Sequence, residues 1–149
     1  VYVLDDVSLR AASRIWGEET IAAWRRWDAN HIAPEVNLGG MVLNTLRAID
    51  PDVVLYRDGK KIGIHAKHSK RARAEPVAAL YDQHRVHHVG HFPALEAQMV
   101  SWDPRESWSP DRIDALVYAG TVLAPWSSGG RPESSASALL QAGSLERRR

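Results

Sequence analysis

Residues 109–118 read SPDRIDALVY and predict the first turns of a helix that carries two acids on one face. Ser109 is a favourable N-cap residue, and Pro110 suits the first helical position, where no backbone amide hydrogen is needed. Asp111 and Asp114 then lie three residues apart, so their side chains are on the same side of the helix. A carboxylate pair beside a buried helix is a candidate site for a divalent cation. Acids in a first helical turn are also favoured by the helix dipole alone, so these residues by themselves leave both interpretations open.

Elsewhere in the chain, predicted strands alternate with predicted helices, which is typical of an α/β domain. The strands are predicted at 1–5, 31–35, 53–56, 62–66 and 86–89. The helices are predicted at 13–30, 40–49, 76–83, 92–100 and 110–123. Asp58 and Gly59 favour a hairpin turn between the third and fourth strands. We therefore expect one domain over 1–124 and a disordered tail over 125–149, where Ser, Gly, Pro and Arg dominate.

Charged side chains are grouped at two further places. Glu35 stands at the end of the predicted strand 31–35. Four basic residues come just before the helix that is predicted to begin at Pro76: Lys67, Lys70, Arg71 and Arg73. Clustered basic side chains suit contacts with the phosphate backbone of a nucleic acid, which give affinity without sequence specificity. From these residues alone, a surface acid at a strand end and a solvated charged loop remain open interpretations.

Taken in order, these segments resemble the C-terminal nuclease domain of the large terminase subunit of tailed bacteriophages, the DNA-packaging motor. The resemblance extends from about residue 2 to residue 123. Its most specific part is the run 70–90, followed by the SPDRIDALV element. It implies a ribonuclease H-like fold, an α/β domain whose mixed five-stranded sheet is flanked by helices. In that fold, three acids meet at one end of the sheet.

Two of the three acids of that pattern have counterparts here. The resemblance implies that the catalytic and metal-binding residues are Glu35, Asp111 and Asp114. Glu35 matches the second acid, and the aspartate pair matches the third. Of the pair we favour Asp111, because the first turn of the helix is nearer the end of the sheet. The implied cofactor is two Mg²⁺ or Mn²⁺ ions, which carboxylates hold for the hydrolysis of phosphodiester bonds.

The first acid of the pattern, with the strand that carries it, is expected upstream of Val1. Asp5 and Asp6 match the third, outer strand and are poor substitutes for that acid. In the family's strand order, two strands lie between the strand of Tyr2 and the strand of Glu35. Without them, unpaired strand edges would be left at the centre of the sheet. We therefore expect an N-terminally truncated nuclease domain that, alone, is marginally stable or rearranged, and incomplete or inactive as an enzyme.

The resemblance also implies a function and partners. The function is that of a metal-dependent endonuclease that cuts concatemeric double-stranded viral DNA at the start and end of head filling. The partners are double-stranded DNA, an ATPase domain upstream in the same polypeptide, the small terminase subunit and the portal. DNA contact is expected at Lys67, Lys70, Arg71 and Arg73. The alternatives are a non-catalytic DNA-binding or motor-docking module of the same fold, and another ribonuclease H-like nuclease such as a resolvase.

The composition of the chain excludes several classes of protein and several kinds of metal site. The chain has 149 residues, a formal net charge of +1 and no cysteine. Disulfides and cysteine-ligated metal sites are therefore excluded. Because no apolar run approaches the roughly 20 residues of a membrane helix and no signal-peptide pattern opens the chain, we expect an intracellular domain. The resemblance implies that its location is the cytoplasm of the bacterial host. Strand alternation sends His87 and His88 to opposite faces, which argues against a zinc site in the histidine-rich region 65–91.

Overall fold

A computed structural model describes residues 1–36, 40–66, 68–103 and 110–123 of the chain. In these ranges the helices are α1 (Ser13–Arg26), α2 (Met41–Ile49), α3 (Lys70–Asp82), α4 (Pro93–Ser101) and α5 (Asp111–Leu123). The strands are β1 (Tyr2–Val3), β2 (Arg57–Asp58), β3 (Lys61–Ile62) and β4 (His87–His88). The domain boundary near 124 and the predicted tail 125–149 lie outside the described residues. None of the described helices is both long and apolar enough to cross a membrane.

The described strands are short and pair in two groups. β1 lies parallel to β4, with Tyr2 opposite His87, and β2 lies antiparallel to β3. The β2–β3 hairpin turns at Gly59 and Lys60, one residue later than predicted. Gly59 has a φ of +60°, a backbone conformation that glycine adopts at little cost.

Backbone hydrogen bonds hold the segment that carries Glu35 in place. Its partners are the residues just before and just after the β2–β3 hairpin. Ile32 forms a parallel bridge with Leu55, and Glu35 forms a parallel bridge with Ile64. The amide of Ile64 donates to the carbonyl of Pro34 at 2.7 Å. Residues 53–56 and 62–66 are predicted as two strands, but in the structure Leu55 and Ile64 each form a single bridge to the segment 31–36, and the paired strands β2 and β3 lie between these bridges. This pairing fixes the backbone on either side of Glu35.

One buried cluster of the core lies between α3 and α5, with α4 packed against α5. Val77 of α3 and two residues of α5, Ile113 and Val117, are buried together. Partly buried side chains that pack against this cluster are Ala74, Tyr81, Met99 and Trp102. A second contact joins α1 to α2, where Leu46 is 1% exposed. Since α3 and α5 share the core, side chains at their first turns are brought close to each other.

The start of α3 corrects one prediction. The helix begins at Lys70 and not at Pro76, so Pro76 lies inside it. Ser69 is the N-cap residue, and its hydroxyl oxygen accepts a hydrogen bond from the amide of Ala72 at 3.3 Å. Pro76 leaves one carbonyl without its helical partner, but burial of Val77 in the core holds the helix together through this point. The basic residues at 70–73 therefore form the first turn of a helix and not the loop before it.

Away from the cavity described below, α3 and α4 are joined through a histidine. His88 Nε2 lies 2.8 Å from the hydroxyl of Tyr81, and its Nδ1 lies 3.0 Å from Glu96 Oε1. The backbone amide of Phe92 also donates to Glu96 Oε1. The hydrogen bond with His88 lowers the pKa of Glu96 below its ordinary value of 4.5. Burial raises the pKa of Tyr81 to about 12.

Because the pKa of Glu96 is lower in the folded chain than in the unfolded one, its ionised form contributes to stability above pH 4.5. That contribution is lost as the pH falls through the lowered value. We expect Glu96→Gln to destabilise the fold at pH 7 and to lose this effect progressively below pH 4.5. Urea unfolding of both proteins between pH 7 and pH 3 measures the difference. A difference that does not change with pH would contradict the prediction.

Candidate functional site

Helix α5 presents three polar side chains on one side. Asp111, Asp114 and Tyr118 follow each other at spacings of three and four residues, while Ile113 and Val117 are buried on the core side. The amide of Asp114 donates to the carbonyl of Pro110 at 2.9 Å, so the helical turn is closed at its start. The predicted cap Ser109 lies outside the described residues. Local sequence thus places both aspartates where it was expected to, at the first turn of α5.

Both aspartates and Glu35 line one cavity of about 910 Å³. Its walls come from the end of β1, the end of α1, the segment 31–35, the start of α3 and one face of α5. The three predicted catalytic acids are therefore brought to a single cavity, although they come from segments far apart in the chain. Leu4, which follows β1, and His31, in the segment of Glu35, are among its lining residues.

Tyr118 connects Glu35 to α5. The hydroxyl of Tyr118 donates a hydrogen bond of 2.6 Å to Glu35 Oε1. The tyrosine is 7% exposed, and burial, followed by the hydrogen bond to Glu35, raises its pKa well above the ordinary value of 10.0. Reasoning from the sequence missed this residue. The available signal was its spacing of four residues from Asp114, which places both on the same face of the helix.

Asp114 is paired with two cations from the first turn of α3. Lys70 Nζ lies 3.0 Å from Asp114 Oδ2, and Arg73 Nη2 lies 3.7 Å from Asp114 Oδ1. The guanidinium of Arg73 also stacks over the ring of Tyr118, with 4.6 Å between its Cζ and the ring centroid. Contacts therefore run without interruption from Glu35 through Tyr118 and Arg73 to Asp114.

The described members of the predicted basic cluster do not all lie at the cavity. Lys70 and Arg73, three residues apart, line the cavity with the acids. Arg71 is exposed and pairs with Glu75 one turn later on α3, at 3.0 Å. Lys67 lies outside the described residues. The helical start at Lys70, which was not predicted, is what turns two of the four cations toward the carboxylates.

The acids at the N-terminus are engaged elsewhere. Asp5 accepts hydrogen bonds from Arg26 and from the indole of Trp27. Asp6 accepts from Arg112 Nη1 at 3.1 Å with both carboxylate oxygens. Neither aspartate is among the residues that line the cavity of Glu35.

The chemistry of the cavity suits a hard cation. Carboxylate oxygens are the ligands that Mg²⁺ and Mn²⁺ prefer, and three carboxylates line this cavity, those of Glu35, Asp111 and Asp114. Within the described part of the chain, no three His, Asp or Glu side chains are grouped closely enough to hold a metal ion by themselves. Magnesium sites commonly use only one or two protein carboxylates, with waters and substrate phosphate completing the coordination. The donor set therefore fits such an ion.

We expect Tyr118→Phe to lower the free energy of unfolding by about 1 kcal/mol, because it removes a part-buried hydrogen bond to the carboxylate of Glu35 and keeps the ring. Urea denaturation at pH 7 measures this change. Tyr2→Phe removes the same atom from a side chain that is 66% exposed and serves as the control. Equal losses in the two variants would show that the bond to Glu35 contributes nothing.

Comparison with known families agrees with this architecture. A family model for the terminase RNaseH-like domain matches residues 1–121, a range that includes Glu35, Asp111 and Asp114. No significant match to a curated protein or to a solved structure was found. The mixed α/β arrangement, with helices around short strands, is consistent with a ribonuclease H-like domain. The resemblance seen in the sequence is thus confirmed, and the chain belongs to the terminase RNase H-like domain family.

Proposed function

We propose that this domain is a metal-dependent endonuclease that hydrolyses phosphodiester bonds of concatemeric double-stranded DNA during packaging. The observation that carries the proposal is the convergence of Glu35, Asp111 and Asp114 on one cavity, together with Lys70 and Arg73. Acids bind the metal ions that phosphodiester hydrolysis requires, and cations attract the phosphate backbone. Membership of the terminase family supports a nuclease-type role for this combination.

Glu35, Asp111 and Asp114 would hold the Mg²⁺ or Mn²⁺ ions. When bound, two such ions activate a water molecule and stabilise the leaving oxygen. The hydroxyl of Tyr118 orients the carboxylate of Glu35 through its hydrogen bond. Arg73, which is 14% exposed and stacked on Tyr118, holds the side chain of Asp114 from the other side. The chain's own residues thus keep two of the carboxylates oriented before any substrate binds.

The DNA backbone would be bound beside these acids. Lys70 and Arg73 lie at the cavity, and the exposed Arg71 extends the positive charge along α3. We include Lys67 in this surface on the basis of the sequence. Contacts of this type are independent of base sequence and weaken with salt. The ATPase domain, the small terminase subunit and the portal are the further partners that we propose.

A second candidate function is a DNA-binding or motor-docking module without catalysis. Two observations favour it: Asp114 is already paired with two cations, and no three acids or histidines are grouped as a metal site in the described ranges. Such a module would keep the basic side chains of α3 and would need none of the carboxylates.

Plasmid cleavage with Mg²⁺ or Mn²⁺ separates the two functions. We expect cleavage by a version of the chain extended upstream of Val1, through the strand expected to carry the first acid, and little or none by the 149-residue chain. Asp111→Ala and Asp114→Asn, each made in the cutting version, then show which aspartate is the principal ligand. Absence of cleavage in every version, with DNA binding retained, would favour the binding module.

A further inference from the structure

The two cationic side chains that pair with Asp114 differ in their exposure and in how firmly they are fixed. Arg73 is 14% exposed, and its guanidinium is fixed by stacking on Tyr118. Lys70 is 39% exposed, and its ammonium group is at the end of a flexible chain. Of the two, Lys70 has the shorter contact with the carboxylate, 3.0 Å against 3.7 Å, and also the greater freedom to leave it.

The position of Lys70 adds a second argument. It is the first residue of α3, at the end of the helix where the dipole disfavours a positive side chain. The ion pair with Asp114 offsets this cost. Once the negative charge of Asp114 is neutralised by another cation, the ammonium group is repelled from the helix terminus and from that cation. A phosphate oxygen of DNA at the same cavity is then its natural partner.

We propose that Lys70 exchanges its carboxylate partner for a DNA phosphate when a divalent cation binds. It pairs with Asp114 in the metal-free protein and gives up this carboxylate when a divalent cation binds there. Its ammonium group then binds a phosphate of the DNA backbone, while Arg73 stays on Tyr118. This exchange rests on the proposed nuclease function, and it makes metal binding and DNA binding mutually dependent.

The exchange is tested by the affinity for Mn²⁺ without DNA. In Lys70→Met the competing cation is removed, and we expect the Kd for Mn²⁺, measured by calorimetry, to fall at least about fivefold relative to the unmodified protein. Lys60→Met removes the same charge from the exposed turn of the β2–β3 hairpin, outside the cavity, and is expected to leave the Kd unchanged. Lys70→Arg keeps a cation at the position and is expected to restore the weaker binding.

The second readout is DNA binding with Ca²⁺ in place of the catalytic metal. We expect Lys70→Met to bind a short duplex several-fold more weakly in Ca²⁺ than the unmodified protein does, although it binds the metal more tightly. Lys70→Gln serves in the same way if the methionine variant does not fold. If the unmodified protein binds Mn²⁺ and Lys70→Met binds it with the same or a higher Kd, the exchange is overturned. The proposed nuclease function is then unaffected. If neither the 149-residue chain nor the version extended upstream of Val1 binds Mn²⁺, the exchange and the nuclease function are both overturned.

Discussion

Glu35→Gln is expected to reduce the rate of Mn²⁺-dependent plasmid cleavage by at least about 100-fold. Removing a residue that only hydrogen-bonds to a metal ligand usually reduces activity by less than this. Glutamine has nearly the same shape as glutamate, and its carbonyl oxygen can still accept the hydrogen bond from Tyr118. The substitution therefore removes the negative charge and leaves the packing in place. Initial rates of nicking, in the version of the chain that cuts, measure the effect.

The matched control for this variant is Glu75→Gln. Glu75 is an exposed acid of α3 that pairs with Arg71 and does not line the cavity. We expect its cleavage rate to stay close to that of the unmodified protein. Circular dichroism of both variants checks the fold. Full cleavage by Glu35→Gln would place the catalytic acids outside this cavity.

The second large effect is expected from Gly63→Ala, a change outside the cavity lining. Gly63 has a φ of +78°, and a Cβ there would lie 2.6 Å from the carbonyl oxygen of Pro34 and 2.8 Å from Val36 Cγ1. The left-handed backbone and the overlap with the segment of Glu35 together should lower the free energy of unfolding by about 2–4 kcal/mol. Chemical denaturation at pH 7 measures this loss. Because Pro34 and Val36 flank Glu35, cleavage should fall as well.

Gly59→Ala separates the cost of the left-handed backbone from the cost of the steric overlap. Gly59 also has a positive φ, +60°, but a Cβ at that position would have no atom within 4 Å. Its loss of stability should therefore be limited to about 1–2 kcal/mol from the backbone conformation. If Gly63→Ala were no more destabilising than Gly59→Ala, the close approach of Gly63 to the segment of Glu35 would have no energetic consequence.

The sequence predicted the elements whose signals are local. Pro110 and the apolar spacing of α5 indicate its start and its buried side, so Asp111 and Asp114 could be placed on one face before the structure was known. The start of α3 was predicted wrongly, because Pro76 is a stronger signal than a single Ser69. The cap and the burial of Val77 outweigh the proline in the folded chain.

Short-range patterns in the sequence were enough to predict the five helices, the acid pair on α5 and, through the order of the motifs, the family. The hydrogen bond from Tyr118 to Glu35, 83 residues away, and the ion pairs of Lys70 and Arg73 with Asp114 became visible only in the folded chain. Helical periodicity and capping depend on neighbours within a few residues, so a sequence displays them directly. Contacts between distant side chains depend on how α3 and α5 pack over Val77 and Val117, and no local pattern records that packing.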